Sequence, residues 1–141
     1  MKILLIYPYF LEERVNVDEI RVLPQGIFFV AALCRHHGYD VEILNWYDIN
    51  PDPQYIRSEL IKRNPDVIGF SILNANRWGG IDIARIAKQI NPEIQIVFGG
   101  IGATFLWEHF LTHFPEVDYV VLGEGEYSFL NLIECLADGE V

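Results

Sequence analysis

Five short apolar runs, each followed by a stretch of helical periodicity, constrain this chain more than any other feature of its sequence. The first run, KILLIY over residues 2–7, is apolar almost throughout. A strand reads this way when helices cover both faces of its sheet. The other runs span residues 41–45, 67–71 (VIGFS), 94–100 (IQIVFGG) and 119–122. Helices are expected over 25–37, with Ile27, Val30, Ala31 and Cys34 on one side and Gly38 as the stop, and over 80–91, with Ile83, Ile86, Ala87 and Ile90 in register. Further helices are expected over 104–114 and over 126–137, the last capped by Gly139. One more starts at Asp52-Pro53 and stops at Asn64-Pro65. There the aspartate carboxylate can accept from the unpaired amides of the first turn, and proline's fixed φ suits the first helical position.

Strict alternation requires crossover connections, and therefore a parallel sheet with helices on both sides. Five units suit the flavodoxin-like strand order 2-1-3-4-5, a doubly wound three-layer α/β fold, better than the six-stranded dinucleotide fold. Residues 1–141 read as a single domain, without linkers or low-complexity segments, and are expected to be part of a longer chain. A content of 51% hydrophobic and 21% charged residues is that of a folded protein with a real core. No apolar run approaches the ~20 residues needed to cross a bilayer. The opening MKILLIYPYF is too short in apolar residues for a signal peptide and has no small-residue cleavage site. Cys34 and Cys135 are the only cysteines and both fall within expected helices, which argues against a disulfide framework or thiolate cluster and for the cytoplasm. Twenty acidic and ten basic residues give a net charge of -10 with no Lys/Arg run. Nucleic acid and anionic membrane surfaces are therefore poor partners.

Open α/β sheets bind ligands outside the carboxyl ends of their strands. Four loops qualify here. The first, Pro8 to Pro24, is about seventeen residues long where ~2–6 is usual, and reads as a lid that orders on a ligand. The others are Ser71-Ile72-Leu73-Asn74, Gly99-Gly100-Ile101-Gly102-Ala103-Thr104 and Gly123-Glu124-Gly125-Glu126. A single glycine in such a loop is read first as a turn residue. Two glycine-rich loops and a serine at one sheet edge point instead to close approach by a ligand. Neither the G-x-G-x-x-G pattern nor the lysine-bearing phosphate loop is present, so ordinary nucleotide binding is not supported.

Taken in order, KILLIYP, Pro24-Gln-Gly26, Pro65-Asp-Val-Ile-Gly-Phe-Ser71 with Leu73, Gly99-Gly100 and Gly123-Glu-Gly-Glu126 form a combination that covers the whole chain. In these motifs the chain resembles the cobalamin-binding domain placed N-terminal to many radical S-adenosylmethionine enzymes. The resemblance implies that the cofactor's nucleotide tail slots between the third and fourth strands, with Ser71 bonding the tail base and Gly99 and Gly100 leaving it room. Leu73, Ile101, Thr104, Gly123, Glu124 and Gly125 would line the corrin or tail. Tyr9 and Phe10, with Tyr7, would either pack beneath the corrin or serve as core and hinge residues. Trp78 is a similar case, a lid or a packing residue.

The resemblance has one departure. Cobalamin domains of the methionine synthase and mutase type carry Asp-x-His-x-x-Gly after the first strand, whose histidine ligates cobalt; the loop here has no histidine. Cobalt is therefore expected without a histidine ligand. His36 and His37 suit a helix C-terminus electrostatically, and His109 and His113, four apart, lack a third metal ligand nearby. Glu124 and Glu126 read as a turn residue and a favourable first-turn anion before they read as an acid–base pair. The chain has no Cys-x-x-x-Cys-x-x-Cys, so the iron–sulfur cluster and S-adenosylmethionine are expected only on a C-terminal domain of the full-length enzyme, a methyltransferase or a cyclase. Alone, the domain would bind and catalyse nothing. Other readings are a vestigial docking or substrate-channel domain without corrin, and a flavodoxin-like flavin module with a poor phosphate loop. A response-regulator receiver is weaker still, because its paired acids and lysine are missing.

Overall fold

In the computed structural model, which describes residues 1–10, 23–47, 49 and 51–140, the apolar runs become strands β1 (Lys2–Tyr7), β2 (Asp40–Asn45), β3 (Val67–Ser71), β4 (Gln95–Gly99) and β5 (Tyr119–Val120). The helices are α1 (Gln25–His36), α2 (Pro53–Arg63), α3 (Arg77–Ile90), α4 (Ile101–His113) and α5 (Glu126–Asp138). All strands pair in parallel in the order β2-β1-β3-β4-β5, as the alternation requires. The lid expected between Pro8 and Pro24 falls largely on residues 11–22, outside the described residues.

Because side chains alternate along each strand, the sheet has two distinct cores. Leu4, Ile6, Ile68, Phe70, Ile96 and Phe98 point to one face and meet Ile56 and Leu60 of α2, Ile83, Ala84 and Ala87 of α3 and Phe110 of α4. Phe98 sits edge-on between Phe70 and Phe110, with ring centroids 5.2 and 5.1 Å away. Ile3, Leu5, Val67 and Val97 point to the other face and meet Ile27, Ala31 and Cys34 of α1 and Phe129, Leu130 and Ile133 of α5. The helix signals act as read. Asp52 accepts a bond from the Tyr55 amide at 2.8 Å, Asn64 closes α2 in the left-handed conformation, and Gly139 closes α5 at φ 70°.

Three boundaries differ from expectation by more than one residue. Helix α3 begins at Arg77, three residues before Gly80, so Gly79 and Gly80 lie inside its first turn. Glycine disfavours helices, but here its lack of a side chain lets α3 seat against the loop after β1: a Cβ on Gly79 would lie 2.4 Å from the Tyr9 carbonyl oxygen. Helix α4 begins at Ile101, not Thr104, because Gly100 turns the chain at once with φ 89°. Strand β5 is two residues long, shorter than the expected 119–122, although the Val121 amide still donates to the Phe98 carbonyl at 2.8 Å. No helix of the described residues is long and apolar enough to cross a membrane.

Candidate functional site

On the α1–α5 face, the pattern of strand residues leaves a hollow at the carboxyl edge. The register places Leu5, Gly69 and Val97 in one row across β1, β3 and β4, and Ser71 beside Gly99 one row nearer the edge. Glycine at 69 and 99 removes two side chains from this stripe of sheet. What remains is a cavity of about 270 Å³ floored by Leu5, Gly69, Val97 and Gly99. Its walls are Gly26, Ile27 and Val30 of α1 and Phe129 of α5, and its rim is Ser71, Gly100, Gly123, Glu124, Gly125 and Glu126.

The two rows differ in chemistry. In the inner row every lining side chain is apolar, and the backbone groups there are committed to the β1–β3 and β3–β4 ladders. The rim carries the Ser71 hydroxyl and two carboxylates, Glu124 exposed and Glu126 half-buried in the first turn of α5, where the helix dipole favours a negative charge. Among the described residues, no lysine, arginine or histidine lines the cavity.

The rim is held by bonds running from loop to loop. The Ile72 amide donates to the Gly99 carbonyl (2.8 Å), and the Gly102 amide donates to the Ile72 carbonyl (2.9 Å), joining the loops after β3 and β4. The Thr104 hydroxyl donates to the Gly100 carbonyl (3.0 Å) and accepts from the Gly123 amide (3.0 Å), joining the loops after β4 and β5. Asn76, fully buried, sets the loop after β3: its Oδ1 accepts from the Leu73 amide (2.7 Å), and its Nδ2 donates to the Ser71 carbonyl (3.2 Å). This holds the Ser71 backbone so that its side chain faces the cavity. Gly100 has no room for substitution, since a Cβ there would approach Ile72 backbone atoms to 3.0 and 3.1 Å.

Of the residues singled out from sequence, Ser71, Gly99, Gly100, Gly123, Glu124 and Gly125 come together at this cavity. Several others do not line it. Thr104 ties the rim from outside, and Leu73 is held by Asn76. Ile101 is 62% exposed on the first turn of α4. Tyr9 belongs to the core on the opposite face, where burial, with the Asp82 carboxylate adding to it, pushes its phenol up to about 12 and keeps it neutral. Phe10 stacks edge-on against Tyr47 at 5.1 Å, and Tyr47 lies parallel to Tyr7 at 6.0 Å. Trp78 packs edge-on against Phe114 at 6.1 Å. Sequence reasoning missed Asn76 and Gly69 as part of the floor. Among the described residues, no three His, Cys, Asp or Glu side chains are placed to hold a metal. His36, His37 and His113 lie at the far ends of helices that run back from the cavity edge.

Residues 15–133 match the family model of the B12 binding domain. An uncharacterized methyltransferase of Pyrococcus horikoshii is 31% identical over 99% of this chain and 30% of its own length. An anaerobic magnesium-protoporphyrin IX monomethyl ester cyclase of Rubrivivax gelatinosus is 29% identical over 82% of this chain and 21% of its own length. The cytidylyl-2-hydroxyethylphosphonate methyltransferase of Streptomyces wedmorensis is 30% identical over 80% of this chain and 24% of its own length. The chain thus spans less than a third of each of these relatives. Among solved structures, NtrX from Brucella abortus shares the fold at a TM-score of 0.59 and 18% identity, over 96% of this chain and 26% of that one. A LuxR-family DNA-binding response regulator from Staphylococcus aureus does so at 0.56 and 15%, over 98% of both chains.

Proposed function

The chain belongs to the B12-binding domain family, and from that premise we propose that it binds cobalamin as one domain of a longer radical S-adenosylmethionine enzyme, with no histidine on cobalt. The observation that carries this reading is the apolar cavity over Gly69 and Gly99, entered beside Ser71. A volume of this size takes a bicyclic base and its sugar, and leaves a macrocycle outside on the strand edge. Gly99 and Gly123 fit that role: a Cβ on Gly99 would occupy cavity space without touching anything closer than 3.8 Å, and one on Gly123 would meet nothing within 4 Å.

In this reading Leu5, Val97, Ile27, Val30 and Phe129 bury the ring faces of the tail. The Ser71 hydroxyl bonds the base nitrogen, Gly99 gives clearance, and Gly100 turns the rim at φ 89° close against the Ile72 backbone. Gly123, Glu124 and Gly125 border the sugar and corrin side, with Leu73 and Ile101 flanking the rim and Thr104 fixing it. Tyr9 supports the loop after β1 from within the core, and Phe10 stands at the start of the segment expected to act as a lid. Bound cobalamin would supply a cobalt centre that carries methyl groups or electrons. The protein's own part is to hold the tail away from the metal and exclude water from it. The iron–sulfur cluster, S-adenosylmethionine and substrate would belong to the remainder of a cytoplasmic methyltransferase or cyclase.

Mixing the purified chain with hydroxocobalamin, desalting it and recording the visible spectrum tests the reading. Stoichiometric retention is expected, and the electron paramagnetic resonance spectrum of the cob(II)alamin form should lack histidine nitrogen splitting. Failure to retain the cofactor would favour a docking or channel-wall domain. Histidine splitting would refute the ligand-free lower face.

A further inference from the structure

We infer that the cavity selects among cobamides by their tail base, accepting a benzimidazole-type ring and rejecting a purine. This rests on the cobalamin reading above and goes beyond it to the site's specificity. Polar partners decide the selectivity. The inner row offers Leu5, Val97, Ile27, Val30 and Phe129, with Gly69 between them, and its backbone groups are already paired within the sheet. Among the described residues, the Ser71 hydroxyl is the single neutral hydrogen-bonding side chain of the lining, and it lies one row out. A benzimidazole presents one bare ring nitrogen, which Ser71 can meet, and is otherwise hydrocarbon. An adenine presents further ring nitrogens and an exocyclic amine. With one nitrogen on Ser71, the amine and the six-membered-ring nitrogens would enter a region without partners, and buried polar groups left unpaired are costly. Glu124 and Glu126 do not relieve this, because they stand at the rim. Carboxylates there would also repel, not neutralise, any anionic group brought to the mouth.

Competition binding distinguishes the possibilities, read from the visible spectrum of cofactor retained after ultrafiltration. Three probes share one corrin: cobalamin, its adenine-tailed analogue, and cobinamide, which lacks the nucleotide tail. Cobalamin should bind about tenfold or more tighter than the adenine-tailed form, and tighter than cobinamide. Val97→Thr adds a hydroxyl to the inner row at nearly constant volume, and should narrow the gap by weakening cobalamin and helping the adenine form. Val30→Thr, on the half-buried wall of α1, repeats the test where folding is less at risk. Equal binding of the two tailed forms, or a preference for adenine, overturns the selectivity and leaves the cobalamin reading standing. Cobinamide binding as tightly as cobalamin overturns it too, by showing that the tail does not enter. Failure of all three probes to bind overturns both.

Discussion

On the α2–α3–α4 face, a Cβ at Gly79 would land 2.4 Å from the Tyr9 carbonyl oxygen, and one at Gly102 would land 2.7 Å from the Leu73 carbonyl carbon. On the α1–α5 face, a Cβ at Gly26 would meet nothing within 4 Å, and one at Gly99 would make only ordinary contacts from 3.8 Å outward. The same residue type therefore serves opposite purposes on the two sides of one sheet. On the first face glycine brings backbones together, so that helices seat directly on the loops that shape the rim. On the second, at Gly26 and Gly99, it keeps atoms out and leaves space that the protein itself does not fill. Gly69, deeper in the floor, is instead packed tightly: a Cβ there would lie 2.7 Å from Leu5 Cδ2 and 3.0 Å from the Phe129 ring. A glycine conserves room only where its neighbours stay back, and that depends on the partner element, not on the loop that carries the residue.

If this contrast is right, the largest effect should come from Gly102→Val. Its added atoms meet backbone that cannot move aside, and overpacking of this kind costs about 3 kcal/mol. Urea denaturation should show a large fall in the midpoint, and an unchanged midpoint would break the comparison on this face. Gly99→Val should do the reverse. Stability should stay within about 1 kcal/mol of the parent, while cobalamin affinity falls about a hundredfold, roughly 2.7 kcal/mol, because the valine occupies the tail's place. Undiminished affinity there would place the ligand elsewhere.

Asn76→Ala sharpens the comparison at the seam between the faces. It leaves the Leu73 amide and Ser71 carbonyl without their buried partner, at a cost of about 2 kcal/mol in unfolding free energy. Binding should weaken as well, since the loop presenting Ser71 loosens. A variant with normal stability would mean that water replaces the amide without penalty. The smallest effect belongs to Ser71→Ala, which should weaken cobalamin binding by about 1 kcal/mol and leave the urea midpoint unchanged. A drop in stability with no change in affinity would make Ser71 a structural residue.

These differences also explain what could be read from the chain directly. Strand order and helix order follow from alternation, because an apolar run such as KILLIY has few places to go other than the middle of a parallel sheet. The ligand edge follows from topology, and Ser71, Gly99, Gly100 and the Gly123–Gly125 segment duly converge there. Asn76 was not legible: a polar residue just before a helix looks solvated, yet it is completely buried with its amide spent on Leu73 and Ser71. Gly79 and Gly80 suggested a later helix start because local propensity is weighed against them, whereas the contact with Tyr9 decides the matter. Thr104 was read as a lining residue, yet its hydroxyl is committed on both sides to the rim backbone. Which way a hydroxyl points is set by partners distant in sequence, here Gly123.

The pairing of α1 with α5 across the cavity has a consequence for how the molecule is made. One wall is synthesised early and the other last, since α5 follows all five strands. Domains generally fold as units while the ribosome adds roughly 5–20 residues per second, so for about 1–4 s, between the end of β5 at Val120 and the end of α5 at Asp138, the nascent chain can have a nearly complete sheet with one flank bare. During that interval Leu5, Val97 and Ile27, all at most 5% exposed in the finished domain, have no Phe129 to cover them. Such a surface attracts chaperones and neighbouring nascent chains. The cavity is thus the last part of the domain to come into being, and a ribosome stalled before α5 would release a sticky half-sandwich in place of a smaller working protein.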